Sequence, residues 1–159
     1  MNKSIALQQP WIWYFHDPHS NNWSKDSYGY IGKVKTLQEY VATERSVSPY
    51  LPYAMFFFVR NNTFPSWDDE SNRHGGVFNI KVGKQDVPQV WEDVMNRVLS
   101  DTLWSEEHAE NHAMVTGVSI SPKKYFCILK IWVSGKPTAS IDTTNMCIHG
   151  EVMFKTHHP

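Results

Sequence analysis

The chain reads as an α+β domain, a mostly antiparallel β-sheet covered on one side by helices. Three observations lead there. Six or more short segments are apolar and β-prone, among them Trp11–Phe15 and Ala54–Val59. Two segments instead repeat their apolar residues at i, i+3 and i+4, the spacing of a helix with one buried face. Finally, Ser121-Pro122-Lys123-Lys124 is short enough to join two long strands as a hairpin. Strands that outnumber helices, with so short a connection, favour antiparallel pairing.

The elements follow in order. Trp11-Ile12-Trp13-Tyr14-Phe15 forms a strand that His16-Asp17-Pro18 stops, and a polar loop runs from His19 to Asp26. Tyr28, Tyr30 and Val34 alternate with smaller residues as a second strand. Thr36 and Glu39 make a capping box, and Leu37, Tyr40 and Val41 give the helix behind it an apolar face. Ala54–Val59 is a strand apolar on both sides. After a polar loop from Arg60 to Gly76 comes the strand Val77–Val82. Asp86 and Gln89 form a second capping box, followed by Val87, Val90, Trp91, Val94 and Val98 at helical spacing to about Ser100. A helical turn covers Ser105–Glu110. Met114–Ser121 and Tyr125–Val133 are the hairpin strands, and a last strand or hairpin lies between Met146 and Phe154.

Composition narrows the function. The 159 residues carry a net charge of −1, which argues against a general binder of duplex DNA. The hydrophobic share of 41% supports a packed core, and one domain is expected over 1–159. The longest uninterrupted apolar run, Ala54–Val59, is six residues, too short to cross a membrane. The N-terminal residues lack a secretory pattern, so a cytoplasmic protein is expected. Cys127 and Cys147 both lie in apolar runs and read as buried thiols.

No nucleophile motif and no phosphate-binding glycine loop is present. His108 and His112 are four apart, but Glu110 is misplaced for the zinc-protease pattern and no third ligand is evident. No metal and no cofactor are expected. The terminal His157-His158 pair reads as a frayed end.

Two of the seven Trp stand apart. Trp23 and Trp67 belong to no periodic apolar segment, and Trp67 precedes Asp68-Asp69-Glu70. Either each folds back as a lid over the core edge, or the pair sandwiches a flat π-system. A cationic ring would gain further from the indole quadrupoles. A neighbouring carboxylate can accept the N–H donors of a guanine edge. Lys123 and Lys124 occupy the hairpin, while Ile128, Lys130 and Trp132 share one strand face. Lys130 there either snorkels to water or meets an anion.

With these residues in view, the chain resembles the mRNA cap-binding translation initiation factor 4E family. Leu7-Gln8-Gln9-Pro10-Trp11-Ile12-Trp13-Tyr14-Phe15 is similar to its opening strand, and Trp23 falls eight residues after Phe15 as the first stacking Trp does there. Trp67-Asp68-Asp69-Glu70 followed by Asn72-Arg73-His74-Gly75-Gly76 resembles the family's Trp-Glu-Asp-Glu…Asn-x-x-Gly-Gly segment. Gly117–Trp132 keeps the length of the family's closing hairpin. The resemblance covers roughly residues 5 to 133. It implies a curved sheet with the helices on its convex face. It implies that Trp23 and Trp67 sandwich a 7-methylguanine base, with Asp68 accepting its N1–H and N2–H and Trp132 near the methyl group. Lys123 would contact the triphosphate, with Lys130 or Lys124 helping.

The departures from that pattern carry information. Asp68 is one methylene shorter than the usual Glu, so the loop sits closer or Asp69 shares the task. Val77 and Ile128 stand where the family places phosphate-binding cations. On the helical face, where the family grips a helical peptide of scaffold or repressor proteins, the positions read Leu37, Val41, Glu92 and Asn96. The expected ligand is capped mRNA or 7-methyl-GTP, bound by a monomer with no covalent step, in translation initiation. Three other readings remain: a cap-binding repressor or competitor that does not recruit the scaffold, a hydrolase of cap or nucleotide phosphates, and a β domain whose loop Trps cover an apolar cavity.

Overall fold

Phe56-Phe57-Phe58-Val59 is apolar at every position, so a strand built from it must be covered on both faces. The computed structural model, which describes residues 3–158, places it at the centre of a sheet. The strands are β1 (Ala6–His16), β2 (Gly29–Thr36), β3 (Met55–Arg60), β4 (Gly76–Gly83), β5 (Val115–Pro122), β6 (Phe126–Val133) and β7 (Val152–Thr156). They form one sheet in the order β2-β1-β3-β5-β6-β4-β7, and every neighbouring pair is antiparallel. The helices α1 (Leu37–Val47) and α2 (Val87–Ser100) lie on the convex face of this curved, open sheet.

Strand alternation sorts the side chains. In β6, Cys127, Leu129, Ile131 and Val133 are buried in the core with the helices, whereas Ile128, Lys130 and Trp132 point to the other face. On α2, Val87, Val90, Trp91, Val94, Met95 and Val98 are buried, the face that the 3.6-residue period requires. Trp91 stacks on Trp13 of β1 with centroids 5.6 Å apart. Trp13 in turn donates its indole N–H to Thr43 Oγ1 of α1 at 2.9 Å. One buried indole therefore joins the sheet to both helices.

The two capping boxes differ. Thr36 Oγ1 accepts the Glu39 N–H at 3.1 Å, and Glu39 reaches back to the Lys35 N–H at 2.6 Å. Asp86 makes no side-chain cap. A 3₁₀ turn over Lys84–Asp86 runs directly into α2 and holds Asp86 in helical geometry, with Pro88 in the first turn. Gln89 instead bonds Asp93 at 2.9 Å. The expected helical turn at Ser105–Glu110 is a longer 3₁₀ stretch, Glu106–Met114. β1 starts earlier than the aromatic run, at Ala6, because Gln8, Gln9 and Pro10 continue the extended chain. After Trp132 the only regular element among the described residues is β7, which pairs on the edge strand side of β4 rather than forming its own hairpin.

Gly75 and Gly76 open β4 between two strands. A Cβ on Gly75 would lie 1.8 Å from the Val133 carbonyl oxygen, and one on Gly76 would lie 2.3 Å from that of Lys155. Both obstacles are backbone, so the strand cannot yield without breaking pairs with β6 or β7. Gly75→Ala is expected to lower stability by about 2 kcal/mol or more, read as a shift in the urea midpoint at unchanged m-value.

Candidate ligand-binding cleft

The face opposite the helices carries a cavity of about 370 Å³, within the roughly 300–1,000 Å³ of small-molecule sites. Trp23, Tyr28, Met55, Phe57, Trp67, Lys130 and Trp132 help to line it. The floor comes from the outward-facing positions of β3, β5 and β6. The walls come from loops. Trp23 precedes the 3₁₀ turn Lys25–Ser27, and Trp67 sits in the β3–β4 connection. Each indole is 52% exposed, an unusual state for the largest apolar side chain. Trp132 is buried, and its N–H is fixed on Ser119 Oγ at 3.0 Å.

Asn72 explains how the Trp67 loop keeps its shape. It is 1% exposed. Its amide donates to the carbonyls of Phe64 (3.2 Å) and Ser66 (2.9 Å), and its Oδ1 accepts from Thr116 Oγ1 at 2.6 Å. Thr116 sits at an irregularity of β5, where pairing jumps from Val115–Val133 to Gly117–Trp132. Such a bulge re-aims a side chain, here toward the loop. The acidic residues divide their work. Asp69 accepts from the backbone and hydroxyl of Ser71 and so shapes the turn. Asp68 holds the Ser66 hydroxyl and remains exposed. Burial, and next the Asp68 charge, push the Tyr28 phenol above its ordinary value, so Asp68 acts on the cavity wall.

The basic residues also divide. Burial, followed by Lys123 and Lys155, pulls the Lys130 amine below its ordinary value. Neither Lys123 nor Lys124 is among the residues that line the cavity, although the Lys123 charge is felt at Lys130. Lys124 turns away and places its ammonium 5.2 Å from the Tyr125 ring. Lys155 of β7 pairs with Val77, which pairs with Trp132 on its other side, so all three stand in one row across the sheet. An adjoining cavity of about 450 Å³ is lined by Trp67, Lys130, Trp132, Lys155 and His157, among others. The terminal histidines are thus part of the site rather than a frayed end. His157 packs 5.3 Å from Trp132, and His158 sits edge-on to Trp67 at 5.4 Å. The sequence placed neither them nor Lys155 here, because only the pairing of β7 with β4 brings them in. Asn72 was visible as part of the Asn-x-x-Gly-Gly segment, but Thr116 left no local signal.

The His108/His112 pair does not converge. A 3₁₀ stretch sets residues four apart about 120° off-face. His112 is buried, its Nε2 accepting the Trp104 N–H at 3.1 Å and its Nδ1 2.9 Å from the Ala109 carbonyl. His108 lies at the surface beside Thr138 and Glu107. On the helical face, Val41, Glu92 and Asn96 are exposed and Leu37 is partly buried.

An open antiparallel sheet with helices on one face and an aromatic, amine-rimmed cleft on the other defines an α+β ligand-binding domain. Its relatives give the family. The model of the eukaryotic initiation factor 4E family matches residues 6–153, and the chain belongs to that family. Initiation factor 4E of Saccharomyces cerevisiae is 25% identical over 138 residues, spanning 82% of this chain and 62% of that protein. That of Eremothecium gossypii is 25% identical over 143 residues, spanning 82% and 65%. The chain therefore spans about three-fifths of the length of these relatives. Among solved structures, Ascaris suum eIF4E-3 with an m7G cap superposes with a TM-score of 0.70 at 15% identity, over 84% of this chain and 76% of that one. Schistosome eIF4E with m7GpppG and 4E-BP gives 0.73 at 18% identity, over 85% and 75%.

Asn72→Ala would leave two carbonyls and a buried hydroxyl without their partner. It is expected to lower stability by about 2–3 kcal/mol and to raise the proteolytic sensitivity of the Phe64–Ser71 segment, checked by thermal melts and limited proteolysis. The pH behaviour of His157 gives a second check. Burial, then Lys130 and His158, hold this imidazole below its ordinary value of about 6.5. The unfolded chain then binds the proton more readily. Stability should be full above about pH 6.5 and fall as pH drops toward the folded value. His157→Gln should flatten that part of the stability profile.

Proposed function

We propose that this chain binds the 7-methylguanosine 5′ cap of mRNA, as a translation initiation factor. The observation that carries this reading is the pair of half-exposed indoles, Trp23 and Trp67, on one cavity with uncompensated amines at its far end. Methylation makes the guanine cationic, and two indole faces attract a cation through their quadrupoles. Asp68, which is exposed and holds only the Ser66 hydroxyl, accepts the guanine N1–H and N2–H, whereas the less exposed Asp69 is engaged by both the backbone and the hydroxyl of Ser71. The Trp67 backbone N–H donates to O6. Trp132, locked by Ser119, packs near the methyl group. Lys123 and Lys130 meet the phosphates. Lys155, beside Val77, supplies from β7 the charge that Val77 lacks. No bond is made or broken.

The convex face supports a helical-peptide partner from a scaffold or repressor protein. Val41 offers an exposed apolar contact. Glu44 and Glu92 line a groove there with Arg45, Tyr53 and Lys84, a mixed polar and aromatic surface beside Val41. A cytoplasmic site of action belongs to the same proposal and follows from a role in translation; no helix among the described residues is long and apolar enough to cross a membrane.

Titration with 7-methyl-GTP should quench Trp emission, with GTP weaker by about tenfold or more. Trp23→Ala and Trp67→Ala should abolish saturable quenching. Lys130→Ala and Lys155→Ala should each reduce the salt slope of log K by about 1. Equal binding of GTP and 7-methyl-GTP would overturn the reading.

A further inference from the structure

We propose that His16 is a positioning residue for Trp23, a role that rests on the reading of Trp23 as the ligand-stacking indole. His16 is the last residue of β1 and is 1% exposed. Its imidazole lies parallel to the Trp23 ring, with centroids 3.9 Å apart and 5° between planes. One face of the indole is therefore covered from within the fold, while Trp23 lines the cavity and remains 52% exposed. A ring backed on one side and free on the other is half of a slot built in advance.

The same imidazole also fixes the backbone that carries Trp23. Its Nε2 is 2.7 Å from the carbonyl oxygen of Asn22, the residue before the indole, and 3.1 Å from Ser27 Oγ. Ser27 Oγ donates to the carbonyl of Ser24, the residue after it, at 2.6 Å. Nδ1 is 2.9 Å from the Asp17 carbonyl oxygen. The chain on both sides of Trp23 thus returns to one buried ring. Tyr28 closes the corner, edge-on to His16 at 5.0 Å and to Trp23 at 6.1 Å. Few side chains meet both demands. A hydrocarbon ring stacks but cannot donate to a carbonyl, and an amide donates but leaves the indole uncovered. Fixing Trp23 before the ligand arrives spares the ordering of a large side chain during binding.

A double-mutant cycle tests this with the full chain. In ligand-free protein, His16→Ala should move the Trp23 indole N–H resonance toward its random-coil position and shorten the rotational correlation time of that ring. His16→Phe, which keeps the stack, should preserve much of the shift and serves as the second variant if His16→Ala folds poorly. An unmoved Trp23 resonance in both variants would overturn the proposal. With 7-methyl-GTP, His16→Ala should weaken binding about tenfold, and His16→Phe by less. In a Trp23→Phe background, His16→Ala should weaken binding several-fold less, because its effect passes through the indole. An equal loss in both backgrounds would make His16 merely structural and would also overturn the proposal. If the unmutated protein does not bind 7-methyl-GTP, the cap reading fails, while the ligand-free resonance still decides the role of His16.

Discussion

Trp23 and Trp67 line one cavity as two large apolar rings held apart, each half exposed to water. That constraint organises the rest of the molecule. The hydrophobic effect would fold Trp23 and Trp67 onto each other or onto the sheet, since burying an aromatic side chain is worth about 1.5–3 kcal/mol. Apolar contacts alone cannot oppose this, because they would cover the faces that must stay open. The fold opposes it with buried polar groups. Asn72 ties the Trp67 loop to itself through the Phe64 and Ser66 carbonyls and to β5 through Thr116, and His16 holds the Trp23 loop to the end of β1. Such groups are expensive to leave unpaired, so each specifies one loop geometry rather than a range.

The sheet can carry these loops because its two faces have separate duties. Trp13, Phe58, Phe78 and Leu129 fill the helical side, with Trp91 among them. Between them, Phe57, Ser119, Lys130 and Trp132 face the cleft. A one-residue slip would exchange the two sets, so the core that stabilises the sheet also fixes the register of the binding floor. Gly75 and Gly76 serve the same end, letting β4 lie close enough to β6 and β7 for the row Trp132–Val77–Lys155 to form.

What was legible in the sequence follows from the range of each signal. Local patterns located the cores of β1 to β6, both α-helices and the Thr36 cap, whereas the last strand, expected as a strand or hairpin between Met146 and Phe154, is the single strand Val152–Thr156. The Asp86 cap misled because a cap depends on backbone geometry just before the helix, and the 3₁₀ turn there is set by how the chain leaves β4. Trp23, Trp67 and Trp132 were legible because each broke or crowned a local pattern. Lys155, His157 and Thr116 were not. Their places depend on which strands lie side by side, and an edge strand such as β7, separated from β6 by a long irregular segment, gives no sign of its neighbour. The Lys123/Lys124 pair shows the same limit at closer range, since only the turn conformation sends Lys124 onto Tyr125 and leaves both outside the lining of the cavity.

The charges give the cleft a direction. Carboxylates stand at its loop end, where Asp68, Asp69 and Glu70 follow Trp67. Amines stand at its other end, where Lys130 and Lys155 line one cavity. Neither end neutralises the other. Lys130 is partly buried among like charges, a state that favours its neutral form until an anion arrives. The free protein therefore holds repulsion that a polyanion relieves, and the relief is largest for a ligand whose own charge runs the opposite way. A cationic base joined to a phosphate chain has that polarity. On the proposed function, such a ligand seated between the indoles with its base toward Asp68 would bring its phosphates toward Lys130 and Lys155, whereas the reversed ligand would meet like charge at both ends. On that same proposal, the phosphate end of the ligand is set by the sheet order, which places Lys155 of β7 one strand across from β6, in the row of Trp132 and Val77.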